Sequence, residues 1–287
     1  MTSTDLAHPA RQTTGIILMA VAMLSIPLVD GFAKHLSTSY SPLFISWARY
    51  AAACCIVLPL AAVRHGARML PAERLGAHTL RTLFLVISMT LYFLAIARIP
   101  LATAISAFFV GPIVAVILSV FVLKERLTAR KLLSLALGFG GALVILQPGG
   151  AAIDPGLLFA FGSGLCFALY MIATRQASLR SDPIKTLAFQ CVIGTLLLTP
   201  QALYAWSTPL PGDLVFFAGL GLASAASHIL SITAFRFADA STLAPLVYLE
   251  LIGTSLIGYL GFQEVPGLAT LIGAALIVGG GLVLVRR

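Results

Sequence analysis

A chain of 287 residues with 59% hydrophobic and only 10% charged side chains, and a mean hydropathy of +1.01, cannot hide its apolar surface in a soluble fold, where about 25% of residues are charged. Apolar runs of about 20 residues fit the hydrocarbon thickness of a bilayer, so the chain reads as an all-α polytopic membrane protein. Its net charge of +8 then speaks to loop orientation and not to nucleic acid. The expected partners are the lipid bilayer and a small-molecule substrate, with no nucleic acid, cofactor or metal; the sequence leaves the oligomeric state open, a monomer being plausible.

Residues 1–13 are polar and are expected to form a cytoplasmic tail. Ten spans follow, at about 14–36, 42–63, 76–97, 100–123, 127–146, 155–177, 183–206, 213–235, 241–262 and 266–285. The first is too long for a signal peptide and lacks a small-residue cleavage site, so it should remain as an anchor. Pro42, Pro100, Pro155, Pro183 and Pro266 stand at or near span starts, where a missing backbone N–H costs least. Short loops imply a compact bundle without a soluble domain. With the N-terminus in the cytoplasm, fifteen Lys and Arg, Arg81 among them, fall on that side against Lys34 and Arg98 on the other. That bias predicts both termini in the cytoplasm of a bacterial-type inner membrane. Cys54, Cys55, Cys166 and Cys191 lie in apolar runs without zinc or disulfide spacing and read as small buried hydrophobes.

The stretch from Ala97 to Leu146 reads as two apolar helices joined by Lys124-Glu125-Arg126, and the pattern returns near the C-terminus. A shift of 139 puts Thr103 on Thr242, Glu125 on Glu264, Gly140 on Gly279 and Gly141 on Gly280. A shift of 141 puts Gly15 on Gly156, Lys34 on Arg175, Pro42 on Pro183 and Pro59 on Pro200. Residues 14–147 and 154–287 are therefore expected to form two five-helix repeats. Five is odd, so the repeats must be inverted relative to each other. A site between inverted copies can open first to one side and then to the other, which points to solute transport by alternating access.

The segment from Tyr92 through Leu146, with LYFLAIARIPLATA, Gly111-Pro112 in mid-helix, Leu123-Lys124-Glu125-Arg126-Leu127 and the ending GGALVIL, resembles the EamA-type transporters of the drug/metabolite transporter superfamily. The second half resembles them again in ADASTLAPLVYLELIGTSLIGYLGFQEVP. It departs from them at Glu250-Leu251, where second halves of the family commonly read Glu-Pro. The resemblance implies a central cavity lined mainly by helices 1, 3, 4, 6, 8 and 9, with helices 5 and 10 peripheral. It implies export of small metabolites, YddG-like amino-acid exporters being a well-populated group, with nucleotide-related, sugar-related and drug-like solutes also carried.

Charges inside a bilayer are the sharpest signals, costing about 2.5–3.5 kcal/mol each at the centre on insertion scales. At about 1.5 Å per residue, Asp30 and Arg49 both come out about 10 Å from the outer end, on adjacent helices, and a salt bridge is expected. It either neutralises two costly charges or gates the outer half. Glu250 lies near the midplane, about 13 Å deep, with His228 at a similar depth. A carboxylate beside an imidazole can exchange a proton or contact a substrate amine; the alternatives are a protonated Glu bonded to the helices and a satisfied buried histidine.

Ser88, Tyr92, Ser106, Phe108, Tyr170, Ser224, Ser231 and Tyr248 place hydroxyls and aromatics near the same depth, suiting a small amphipathic solute, although such residues also pack helices. Pro27, Pro112 and Pro245 interrupt spans and are candidate hinges around a cavity; lone prolines can also be mere kinks. Gly138, Gly140, Gly141 and the glycines at 279–281 suit close helix packing. Glu125 and Glu264 fall at helix ends, as hinge or capping residues. A membrane hydrolase is disfavoured because Ser227 and His228 are adjacent and point to different helix faces, with no HExxH or GxSxG pattern. A channel is disfavoured by the lack of a re-entrant loop or a ring of like charges. The chain is not expected to be an enzyme.

Overall fold

The computed structural model describes residues 3–99, 101–146, 155–178, 181–262 and 268–285. Among them there is no strand; the helices are α1 (Ser3–Leu36), α2 (Pro42–His65), α3 (Leu75–Ile96), α4 (Leu101–Phe108), α5 (Val110–Leu123), α6 (Ala129–Leu146), α7 (Pro155–Ser178), α8 (Pro183–Tyr204), α9 (Leu214–Ala234), α10 (Ala240–Leu243), α11 (Glu250–Phe262) and α12 (Leu268–Val285). A 3-10 stretch, Ala244–Leu249, joins α10 to α11. Among the described residues, seven helical stretches are long and apolar enough to cross a bilayer, from Arg11–Leu36 to Ala240–Gly261. Large apolar side chains stand exposed on the outside of the bundle, as at Phe121, Leu196 and Leu260, the surface that lipid covers. This is a multi-pass membrane protein.

Helix starts follow the local chemistry. Ser41 before Pro42 accepts from the Leu43 N–H, and Asp182 before Pro183 accepts from the N–H groups of Ile184 and Lys185. In both, an N-cap side chain satisfies orphan donors while proline fills a position that needs none. Three expectations change. The polar residues 3–13 continue α1 and do not form a separate tail. The span expected at 100–123 is broken at Phe109, whose ψ of 2° ends α4 before α5 begins. The span expected at 241–262 is likewise interrupted by the 3-10 stretch. The breaks sit beside Pro112 and at Pro245, because proline withdraws a backbone donor and crowds the preceding turn. α1 runs through Pro27 unbroken.

The most extensive helix pairings are α6 with α12, α3 with α7, α1 with α9 and α2 with α8. Each joins an element before residue 147 to one after residue 154. Glycines allow the closest approaches: a Cβ on Gly111 would lie 2.7 Å from the Gly164 carbonyl oxygen, and one on Gly164 would collide with that of Phe108. Gly138 similarly leaves room for the Tyr248 ring. A further tie comes from Glu125, whose carboxylate accepts from Ala240 N at 3.0 Å and Ser241 N at 2.8 Å, capping α10. Arg175 and Lys131 bind Asp239 beside it, at 2.8 and 3.3 Å. Glu264 lies outside the described residues.

Candidate functional site

Four ionisable side chains from four helices meet in the middle of the bundle: Asp30 (α1), Arg49 (α2), His228 (α9) and Glu250 (start of α11). With Tyr92 (α3), Phe108 (α4) and Phe167 (α7), and with Ile26, Val29 and Met89, they line one cavity. Its volume is about 20 Å³, room for about one water. The cavity is thus too small for a solute, which enters only when helices part. Tyr92 and Phe108 pack with ring centroids 5.5 Å apart, and Phe108 and Phe167 at 5.0 Å, forming an aromatic wall.

Arg49 does not form the salt bridge expected from the sequence. Among the described residues no ion pair joins it to Asp30; its Nε donates to Ser224 Oγ at 2.7 Å and an Nη lies 2.7 Å from His228 Nε2. Ser224 and His228 are one turn apart on α9 and face α2 together, so they capture the guanidinium first. Arginine has no acceptor, so His228 Nε2 must be the unprotonated, accepting nitrogen and the ring is neutral. Asp30 instead shares the cavity with Glu250.

Arg49 Nη1 and Asp30 Oδ2 remain, buried, without a hydrogen-bond partner among the described residues, as does Tyr92 Oη. A buried unpaired charge is costly. The cavity therefore offers a free cationic donor and a free acidic acceptor against aromatic faces, a set that matches a head group carrying both an anion and a cation.

The other expected residues are placed elsewhere. Ser88 donates to the Ser163 carbonyl at 2.9 Å, and Ser163 Oγ donates back to that of Ser88 at 2.7 Å, a clasp between α3 and α7. Tyr248 donates to the Phe109 carbonyl at 3.2 Å, satisfying the acceptor freed by the break after α4. Tyr170 is not among the lining residues; its ring lies 6.4 Å from that of His228. Ser231 is buried on α9; the Ser106 side chain lies outside those described.

Sequence reasoning missed Phe167, although the shift of 141 pairs it with Ile26, another lining residue. It also missed Arg81. Counted among the basic loop residues, Arg81 is in fact fully buried in α3, its guanidinium 5.3 Å from the Tyr170 ring centroid. The signal was its place, seven residues into an apolar helix.

The two ends of the bundle differ. At the end holding the α1–α2 and α8–α9 loops, the rings of Tyr40, Phe44, Trp47, Trp206 and Phe217 interlock at 5.2–6.0 Å. Tyr40 donates to Asp213 at 2.6 Å, and this bond holds its phenol above the ordinary range. At the opposite end a cleft of about 460 Å³ lies between α3, α7 and α8.

The EamA-like transporter family model matches this chain twice, at residues 13–147 and 154–286. The chain is 26% identical over 264 residues to an S-adenosylmethionine uptake transporter of Rickettsia prowazekii, covering 92% of this chain and 90% of that one. It is 26% identical over 276 residues to a riboflavin transporter of Vibrio cholerae, covering 94% and 91%. One solved crystal structure superposes with a TM-score of 0.79 at 21% identity, over 94% of this chain and 97% of that one; the likeness is one of fold.

Proposed function

The chain belongs to the EamA-like transporter family, and from that premise we propose that it carries a small solute bearing an α-amino-acid head group and a cationic centre, with S-adenosylmethionine as the first candidate. The observation that carries this is the pairing of Arg49 Nη1, an unpartnered donor, with Asp30 Oδ2, an unpartnered acceptor, in one cavity. Arg49 takes the carboxylate, Asp30 and Glu250 the ammonium. Tyr92, Phe108 and Phe167 receive the sulfonium and the base, since aromatic faces attract cations. The name of the Rickettsia relative supports the same solute. Riboflavin, named for the Vibrio relative, has no cation for the acidic pair. Amino-acid export is the second reading, since the same head-group contacts would serve it.

The carrier works by alternating access between two inverted five-helix halves, residues 14–147 and 154–287, in an inner membrane with both termini cytoplasmic. Support comes from the twofold family match and from the four most extensive helix pairings, each of which crosses between the halves. The cleft would then face the cytoplasm and the aromatic cluster would close the outer side. Asp30 and Glu250, two carboxyls in one cavity, hold one proton between them because like charges so close disfavour double ionisation; an incoming cation replaces it, so one proton leaves for each cation bound. Breaks at Phe109 and Ala244–Leu249 supply hinges at Pro112 and Pro245.

The test is uptake into proteoliposomes of labelled S-adenosylmethionine, riboflavin and methionine. Saturable S-adenosylmethionine uptake that Glu250→Gln abolishes is expected. Preference for riboflavin, or uptake indifferent to Glu250, would overturn the proposal.

A further inference from the structure

The end of the bundle that holds the cleft carries a cluster of four charges. Arg175, in the last turn of α7, donates from an Nη to Asp239 Oδ1 at 2.8 Å, and its Nε stands 3.8 Å from Glu125 Oε1. Lys131, in the first turn of α6, lies 3.3 Å from Asp239 Oδ2 and donates to Ser241 Oγ at 2.7 Å. Glu125 and Lys131 come before residue 147, whereas Arg175, Asp239 and Ser241 come after residue 154. The Lys131–Asp239 and Arg175–Glu125 pairs therefore cross between the halves. So do the bonds that the Glu125 carboxylate accepts from the Ala240 and Ser241 N–H groups. Charge, at this end, ties one half to the other.

The opposite end is held differently, by interlocked rings and the bond from Tyr40 to Asp213. Packed rings separate only by exposing apolar faces, whereas ion pairs at a wet edge exchange for hydration at little cost. The Asp239 side chain is 45% exposed, so water has that access. The two seams can part independently. The charged seam is also joined to the solute cavity. Glu125 caps α10, α10 runs into the 3-10 stretch Ala244–Leu249, and the next residue is Glu250, which lines the cavity. A shift of this segment moves Glu250 and the charged seam together.

We propose that Glu125, Lys131, Arg175 and Asp239 form a latch that holds the halves together at the cleft end and opens when the central cavity turns to that side. This rests on the reading of alternating access between the halves. The test reads a distance and does not depend on transport. Nitroxide labels are attached to Leu127→Cys and Arg236→Cys, both at exposed positions and one in each half. The protein is full-length, with its four native cysteines replaced by serine, and the separation is measured in detergent by double electron–electron resonance. With the latch intact, the longer, open separation should be a minor population of about 1–10%. Lys131→Met keeps the buried stem and deletes the ammonium. It should raise the ratio of open to closed about 10-fold, as for loss of one charged hydrogen bond. Asp239→Asn, at the exposed edge, should do the same. Tyr40→Phe breaks the bond at the far end and should not lengthen this distance. An unchanged distribution in either latch variant, or equal lengthening in Tyr40→Phe, would overturn the latch. If Lys131→Met fails to fold, Asp239→Asn decides. Loss of the shift with counterflow of the solute intact would remove the latch alone. Absence of counterflow with the shift intact would remove the carrier reading and leave two halves held by charge.

Discussion

At the residue scale, the charged positions were legible and their partners were not. Hydropathy picks out Asp30, Arg49 and Glu250 because each is costly in lipid, and all three do line the cavity. Pairing depends on helix rotation, which depth along the axis does not encode; Arg49 therefore turned out to bind Ser224 and His228. If Asp30 and Glu250 share a proton that the solute displaces, Glu250→Gln should abolish solute-induced proton release, measured with a pH dye in weakly buffered detergent solution. Proton release undiminished in that variant would remove the pair from the mechanism. Arg49→Met should weaken solute binding about 10- to 100-fold, since it deletes a charged hydrogen bond; calorimetric titration reads this directly. By contrast, Ser88→Ala breaks a helix clasp and should cost about 1–2 kcal/mol of stability with solute affinity unchanged. A fall in affinity would place Ser88 at the site after all. Arg81 was hidden by its own charge: a basic residue near a helix start fits orientation bookkeeping so well that its burial went unasked.

At the scale of elements, the ten apolar rods could be read from span length and proline position, and their ends moved by only a few residues, apart from the start of α1. The breaks at Phe109 and Ala244–Leu249 were half legible, since Pro112 and Pro245 mark them but do not say which residue gives way. Close contacts were less so. Gly164 carries no hydropathy signal, yet its missing side chain lets α7 reach the Phe108 carbonyl. Gly164→Leu should force α7 away from that break and lower the thermal midpoint in detergent, by the 1–3 kcal/mol typical of overpacking; an unchanged midpoint would mean the helices are not so close. Glu125→Gln weakens the cap on α10 and its contact with Arg175, 3.8 Å away. A loss of about 1 kcal/mol should speed hydrogen exchange at the Ser241 and Thr242 amides several-fold, while protection in α9 stays as it was.

At the scale of the molecule, the doubled sequence made the fold and family accessible, because repeats in a membrane must pack against each other to bury their polar groups. The solute was not accessible in the same way; it depends on two unpaired atoms in a cavity of about 20 Å³. A centre collapsed to about 20 Å³ with an open cleft at one end is what a carrier between its two access states should present. Counterflow in proteoliposomes tests this most directly. Vesicles preloaded with unlabelled S-adenosylmethionine should take up the labelled solute faster and transiently above equilibrium, because each inward step of a carrier is coupled to its return. Uptake that is indifferent to preloading and simply equilibrates would contradict a carrier and indicate a pore.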